Sequence, residues 1–293
     1  MKNNPLLVIV GGTASGKTDL SILLAKRFNG EIISADSVSL RKELNIGSSK
    51  PKITERQGIP HYLIDEIEPD KKFNASKYKD KAEKVIRDIN NNKKLPILVG
   101  GSGLYLNSII YNYQFSDNSI KYSRSYLNSL NNQELIGIAA QNKLLDFKDI
   151  DYKNNRRLIR LIESNGQIRH KSKRKRKNTL VIGLYNSPQE NLKRIQKRVG
   201  EMIEEGLEEE VRGLYLKYGV NSEIFKVIGY KEWLSYFENK ATLNDVIEQI
   251  IKNTVYLSKK QKTWFKKNNS IHWFNYPLEL LGIVELVTSF ISK

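Results

Sequence analysis

Cysteine is absent from this chain of 293 residues. Its absence excludes disulfide bonds, zinc sites built on thiolates and catalysis by a cysteine nucleophile. A chain of this length can bury a large core without such cross-links, in one large domain or two modest ones. Apolar residues make up 39% and charged residues 28%, a composition that is typical of a globular protein.

Long apolar runs are also missing. The run from Leu6 to Val10 holds five residues, whereas a helix needs about 20 apolar residues to cross a bilayer. No small-residue cleavage site follows it, so the N-terminus does not match a secretory signal. We therefore expect a cytoplasmic protein without a membrane anchor. The amphipathic segment 278–291 is expected to pack on the core, because its polar face is not basic.

Acidic residues are outnumbered: 32 Asp and Glu stand against 49 Lys and Arg, which gives a net charge of +17. Such a balance favours a polyanionic partner, such as nucleic acid, a membrane surface or a phosphorylated ligand. A general drift of composition toward Lys and Asn would give the same excess without any partner. The run 169–177 holds seven Lys or Arg and is predicted to be a loop, which either touches phosphates or is only solvated.

Short apolar runs alternate with amphipathic helix patterns over much of the chain. The pattern predicts strands at residues 6–10, 31–34, 95–99 and 180–184, and helices over 17–28, 74–89, 103–110 and 156–164. This alternation indicates an α/β fold with a parallel sheet flanked by helices.

Residues 115–150 interrupt the alternation, because they are polar and have only weak helical periodicity. We predict an inserted helical subdomain there, with residues 1–114 and 151–293 forming the core. A helix start follows later, with a capping Ser187, Pro188 at the first helical position and Glu190. From that point the chain is predicted to be a nearly all-helical C-terminal part.

The most specific single motif is a phosphate-binding loop. It matches G-x-x-x-x-G-K-[ST] and lies between a predicted strand and a predicted helix, the context that the motif requires. The predicted parallel sheet flanked by helices is therefore P-loop NTPase-like. The N–H groups of the loop would surround phosphate oxygens, its lysine would add a positive charge, and its last hydroxyl could bind Mg²⁺. The predicted phosphate-binding residues are Gly11, Gly12, Thr13, Ala14, Ser15, Gly16, Lys17 and Thr18.

Two further strand ends carry polar groups. The third predicted strand ends in Gly100, Gly101 and Ser102 rather than in the metal-binding Asp of P-loop ATPases, so the donor need not be ATP. The second leads into Asp36, which could ligate metal through water, orient a nucleophile, accept a proton or only cap a turn. Because ligands bind at the carboxyl ends of parallel strands, we expect Asp36, Ser102 and the P-loop to converge.

Nine blocks then occur in a fixed order. They cover residues 12–18, 34–37, 46–51, 60–65, 98–105, 155–160, 205–211, 228–232 and 260–265. Together they resemble the tRNA dimethylallyltransferase (tRNA isopentenyltransferase) family. The resemblance runs from about residue 6 to 274.

This resemblance implies an enzyme that transfers a dimethylallyl group from dimethylallyl diphosphate to N6 of the adenosine 3′ to the anticodon, in tRNAs that read codons beginning with U. The P-loop would hold the diphosphate, while Lys17, Arg198 and Mg²⁺ at Thr18 would neutralise the charge that develops on it. Asp36 would accept the N6 proton, and Ser102 would help to place the flipped base.

The resemblance also implies a monomer that binds the anticodon stem-loop. Arg156 and Arg160 would share one helix face, because they are four residues apart. The implied tRNA-binding residues are Asp36, Ser37, Val38, Ser39, Ser102, Lys121, Arg156, Arg157, Leu158, Ile159 and Arg160.

The chain departs from the family pattern at five positions: Ser39, Arg41, Glu43, Ser102 and Val255 stand where Gln, Tyr, Gly, Thr and Arg are usual. These departures keep open a catalytically altered RNA-binding paralogue. A P-loop kinase of a small metabolite would explain the P-loop but not the other eight blocks. An adenylate isopentenyltransferase would lack the basic C-terminal part.

Overall fold

A computed structural model of the protein describes residues 4–115, 122–145, 151–165 and 175–292. Lys121 and residues 169–174 of the basic run lie outside these ranges. The chain forms two compact units, one from Met1–Ile110 with Lys175–Lys293 and the other from Tyr111–Arg174. Among the described residues, no helix is long and apolar enough to cross a membrane.

The larger unit is built on a parallel sheet, which has six strands in the described part of the chain. The order β3-β2-β4-β1-β5-β6 makes β2, β4 and β1 neighbours. This sheet confirms the predicted α/β class. The strands are β1 Leu6–Gly11, β2 Gly30–Ser34, β3 His61–Tyr62, β4 Leu95–Gly100, β5 Thr179–Leu184 and β6 His272–Phe274.

Eleven α-helices lie within the described ranges, of which α4 to α6 belong to the smaller unit. Two 3₁₀ segments, Glu223–Lys226 and Lys231–Trp233, precede α9. The helices are α1 Lys17–Arg27, α2 Ala75–Asn91, α3 Gly103–Ile110, α4 Arg124–Ser129, α5 Asn132–Gln141, α6 Asn155–Glu163, α7 Pro188–Glu204, α8 Leu207–Tyr218, α9 Leu234–Phe237, α10 Leu243–Lys266 and α11 Leu280–Ile291.

Both faces of the central strands are buried, as their continuous apolar runs require. Helices α1 and α11 share one apolar cluster with β1, β2, β4 and β5, into which Ile283 and Val287 of α11 are fully buried. The segment 278–291 therefore packs on the core as predicted. Helices α2 and α3 pack together, where the rings of Tyr78 and Tyr105 stack with centroids 4.1 Å apart.

The C-terminal part has a core of its own, in which α7, α8 and α10 surround the fully buried Tyr230 and Trp233. Ser187 caps α7 by accepting the Glu190 N–H at 3.1 Å, as its sequence predicts. Strand β6 was not predicted there. Its three residues are too few to establish a period, and only its pairing with β5 defines it as a strand.

The smaller unit is helical and wider than the predicted 115–150. Helix α6 belongs to it, because the apolar face of α6 packs against α4 and α5. Leu158 and Leu161 of α6 are buried beside Leu127 and Leu135. Residues 151–165 therefore belong to this unit rather than to the core in which the sequence analysis placed them.

Candidate active site

The P-loop follows β1 and runs directly into α1. Gly16 has φ +89°, a left-handed conformation that favours glycine, and a Cβ there would lie 2.8 Å from the Tyr276 ring. The Lys17 ammonium donates to the Gly12 carbonyl at 2.6 Å. The hydroxyl of Ser15 is buried and has no hydrogen-bond partner among the described residues. These features form a concave loop that has polar groups left for a ligand.

A cavity of 180 Å³ opens beside this loop. Lys17, Thr18, Asp36 and Arg198 all line it, so the cavity brings together four of the predicted catalytic and metal-binding residues. Burial, and then the nearby Arg198, lower the pKa of Lys17 to about 8. Two cations that line one cavity are typical of a site for a multiply charged anion, and here the nearby Asp36 carboxylate offsets only part of their charge.

Arg198 reaches this cavity from α7. Its Nε donates to the Ser49 hydroxyl at 2.6 Å. Burial lowers the pKa of the Arg198 guanidinium from its usual value, and the nearby Asp36 opposes that effect. A larger cleft of 1240 Å³ lies on the outer side of the P-loop and is also lined by Lys17, Thr18 and Arg198. Arg198 therefore faces both openings around the phosphate-binding loop.

The ends of β2 and β4 meet beside the P-loop, as the strand order requires. The Ser102 N–H donates to the Ala35 carbonyl at 3.2 Å, and the Ser102 hydroxyl accepts the Ser37 N–H at 3.1 Å. Asp36 Oδ1 accepts the N–H groups of Val38 and Ser39 at 2.8 and 3.3 Å. One carboxylate oxygen thus caps the following turn, and the described residues leave the other free.

Helix α10, which comes from a distant part of the chain, is hydrogen-bonded to the P-loop. Gln261 Oε1 accepts the Thr13 N–H at 2.9 Å, and Gln261 Nε2 donates to the Gly101 carbonyl at 3.2 Å. Asn191 of α7 also donates to the Thr13 carbonyl, at 2.9 Å. Sequence reasoning assigned no role to Gln261 or Asn191. The block 260–265 was a usable signal for Gln261, but nothing in its spacing identifies the partners.

The predicted tRNA-binding residues fall into three groups. Near the cavity, Ser37 is exposed, whereas Ser39 is only 6% exposed and lines the cavity. In the smaller unit, Arg156 and Arg157 are exposed and Arg160 lies 3.6 Å from Glu163. Lys121 lies outside the described residues.

Leu158 and Ile159 of α6 have a structural role instead. Their side chains are 0% and 3% exposed and belong to the apolar cluster of the smaller unit. They hold α6 in place, whereas Arg156 and Arg157 of the same helix are exposed. In the basic run, Arg176 is engaged within the larger unit, because its Nη1 donates to both carboxylate oxygens of Glu83 at 2.7 Å.

The departures from the family pattern leave these groups in place. Arg41 donates to the carbonyls of Pro69 and Lys71, the latter at 2.8 Å. Glu43 pairs with Lys217 at 2.8 Å, and Val255 packs on the apolar cluster around α10. Ser102 retains the hydroxyl that meets Ser37. None of the five substituted side chains removes the P-loop or Asp36.

Thr18 is the predicted metal-binding residue. Its side chain is exposed at the start of α1 and lines both cavities. The described residues contain no cluster of three His, Asp or Glu that could hold a metal by themselves. The Thr18 hydroxyl and the Asp36 carboxylate, which line the same cavity, fit Mg²⁺. This ion keeps several waters and is usually bound through substrate phosphates with one or two protein ligands.

A parallel sheet with a phosphate-binding loop and converging strand ends defines a protein of the P-loop class. A family model described as IPP transferase matches residues 40–268, and the chain belongs to this family. It is 41% identical to a tRNA dimethylallyltransferase of Pediococcus pentosaceus, over 92% of this chain and 90% of that protein.

Two further relatives agree. A tRNA dimethylallyltransferase of Staphylococcus epidermidis is 38% identical over 98% of this chain and 92% of that protein. The crystal structure of a tRNA isopentenylpyrophosphate transferase from Bacillus halodurans superposes with a TM-score of 0.77 at 32% identity, covering 99% of this chain and 97% of that one. The family resemblance found in the sequence is therefore confirmed over nearly the whole chain.

Proposed function

We propose that this protein is a tRNA dimethylallyltransferase. It transfers the dimethylallyl group of dimethylallyl diphosphate to N6 of the adenosine 3′ to the anticodon, in tRNAs reading codons that begin with U. The observation that carries the proposal is the shared cavity of Lys17, Arg198 and Asp36. It unites cations for a diphosphate with a carboxylate for the acceptor amine, in a chain of the IPP transferase family.

The leaving group sets the first requirement of this reaction. When the allylic C–O bond breaks, its electron pair goes to the diphosphate oxygen, so negative charge grows there. Lys17 and Arg198 interact more strongly with that charge in the transition state than in the bound substrate, which lowers the barrier. Removing such a contact typically costs on the order of 10²–10³ in kcat.

Asp36 serves the other half of the reaction. As the bond from N6 to the allylic carbon forms, the amine loses a proton, and the free carboxylate oxygen of Asp36 accepts it. The two backbone N–H groups on Oδ1 fix the orientation of this carboxylate. Ser102, which is tied to the turn after Asp36, helps to place the base after it has left its stack.

Mg²⁺ is proposed as the cofactor. When bound, it would neutralise charge on the diphosphate oxygens. Thr18 supplies the protein hydroxyl for it at the start of α1, where the helix dipole also favours the anion. The chain's own contribution remains the P-loop amides and the two cations.

The acceptor is proposed to be the anticodon stem-loop of tRNA. The exposed Arg156 and Arg157 would contact its phosphates, in keeping with the net charge of +17. Since tRNA is the proposed substrate, we propose that the protein acts in the cytoplasm. We also propose that it is a monomer, as the family resemblance implies.

The test incubates purified protein with Mg²⁺, dimethylallyl diphosphate and unmodified tRNA, followed by digestion and mass analysis of the nucleosides. We expect a dimethylallyl increment on one adenosine. A tRNA with guanosine at that position is the matched acceptor control and should gain nothing. Asp36→Asn should lower the rate by roughly 10²–10⁴-fold while tRNA binding persists.

The two competing functions give different results in the same assay. A kinase would release ADP from ATP with a small acceptor, and no specific observation favours it. A non-catalytic RNA-binding paralogue would bind tRNA without any increment in mass. Binding without turnover by the unaltered protein would therefore overturn the proposal.

A further inference from the structure

Arg198 is held by one side chain of a neighbouring loop. Its Nε donates to the Ser49 hydroxyl at 2.6 Å, and this is its one hydrogen bond to the described residues. The two terminal nitrogens of the guanidinium therefore remain available to a ligand in the cavities that Arg198 lines. We propose that Ser49 is a positioning residue, which orients the Arg198 fork toward the diphosphate. This inference rests on the proposed function.

The loop that carries Ser49 is fixed from the other side by Glu210 of α8. Its Oε2 accepts the N–H groups of Asn45 and Ile46 at 3.0 and 2.8 Å, and its Oε1 accepts that of Gly47 at 3.1 Å. The Tyr230 hydroxyl donates to the same Oε1 at 2.8 Å. A carboxylate with four donors is a rigid anchor, and it fixes the backbone of residues 45–47, directly before the segment that carries Ser49.

The backbone of Ser49 also has a special conformation. Its φ is +48°, a left-handed value that costs free energy in a residue with a Cβ. Glycine would adopt this conformation without strain, so stability alone favours glycine here. A glycine substitution at this position would therefore relieve backbone strain and remove only the hydroxyl that contacts Arg198.

Orientation matters because the guanidinium is a planar fork. It can bind two phosphate oxygens at once only when its plane faces them. Without the Ser49 bond, the side chain can rotate about its terminal torsions, and part of its population points away from the diphosphate. A misplacement of about 1 Å can cost on the order of 10²-fold in rate, so we expect a loss of roughly 10- to 100-fold in kcat/KM for the donor.

Two substitutions separate positioning from folding. Ser49→Gly removes the hydroxyl and relieves the left-handed backbone, so its thermal midpoint should equal or exceed that of the unaltered protein while kcat/KM falls. Ser49→Ala should lose the same activity. The matched control is Ser48→Ala, because the Ser48 hydroxyl donates to the Leu44 and Asn45 carbonyls of the same loop and not to Arg198.

A double-mutant cycle then assigns the effect to Arg198. Arg198→Met removes the fork but keeps a long apolar stem. In that background, Ser49→Ala should change the single-turnover rate less than twofold. An equal loss in both backgrounds, or full activity in Ser49→Gly, would overturn the proposal.

Binding of inorganic diphosphate, measured by calorimetry, gives a readout that does not depend on turnover. We expect Ser49→Ala and Ser49→Gly to weaken it, and Ser48→Ala to leave it unchanged. If the unaltered protein binds diphosphate but transfers no dimethylallyl group, while Ser49→Ala weakens binding, the proposed function fails and the role of Ser49 stands. Unchanged diphosphate affinity in both Ser49 variants would reject that role.

Discussion

Gln261 Oε1 accepts the backbone N–H of Thr13 at 2.9 Å, which fixes helix α10 to the phosphate-binding loop. The same oxygen lies 3.3 Å from the Thr13 hydroxyl. Through its Nε2, Gln261 also holds the Gly101 carbonyl at the end of β4. One side chain therefore connects the P-loop, which is assigned to the donor, with the end of β4, which is assigned to the acceptor base.

Loss of this bridge should slow the reaction more than it weakens binding. We expect Gln261→Ala to lower kcat by roughly 10- to 100-fold, because donor and acceptor are no longer held in one geometry. The equilibrium affinity for tRNA should change little. Gln249→Ala is the control on the same helix, since the one side-chain hydrogen bond of Gln249 within the described residues is to Asn253 and does not reach the P-loop. An equal loss of kcat in both variants would contradict a bridging role.

Diphosphate binding should depend on pH through Lys17, whose pKa is lowered to about 8 by burial and by Arg198. The bound anion favours the charged ammonium, so the pKa is higher in the complex than in the free protein. The affinity for diphosphate is then highest below about pH 8 and falls by up to about tenfold per pH unit above it. Calorimetry between pH 7 and 10 measures this dependence. The Lys17→Arg variant, which stays charged, should lose the part of the dependence that comes from Lys17, and the difference between the two profiles cancels the ionisation of diphosphate itself.

The ends of β2 and β4 approach too closely for a side chain at Gly100. A Cβ there would lie 2.3 Å from the Ala35 carbonyl oxygen. Gly100→Ala should therefore destabilise the protein by about 1–3 kcal/mol, through a forced backbone shift. Gly213→Ala on α8 is the control, because nothing lies within 4 Å of its Cβ and alanine favours a helix. Thermal unfolding compares the two, and equal midpoints would refute the close approach.

The exposed arginines of α6 should contribute to tRNA affinity through phosphates. Replacing Arg157 by Gln is expected to weaken binding to all tRNAs alike and to reduce the slope of log K against log salt by about 1. Lys240→Gln is the control, because it also removes one positive charge from an exposed side chain, and Lys240 is paired with Glu238. A titration over a range of salt concentrations measures both slopes. No difference between the two variants would exclude a phosphate contact at Arg157.

Local patterns predicted much of the fold. The apolar runs and helix periodicities gave the core elements of the sheet and its helices within a few residues, because local hydrophobic spacing defines each of them. The sequence patterns did not predict β3 and β6, which are too short to have a period. The boundary of the smaller unit was also missed, because it depends on which helices the apolar face of α6 contacts.

The sequence by itself determined the P-loop, the strand ends that carry Asp36 and Ser102, and the family, since each of these lies in a contiguous block. Only the tertiary structure decided which distant groups serve them. Gln261 meets Thr13 across 248 positions, and Arg198 meets Ser49 across 149. Partners this far apart leave no local period or spacing in the chain. Their contact arises from the packing of α10 on β1 and of α7 on α10.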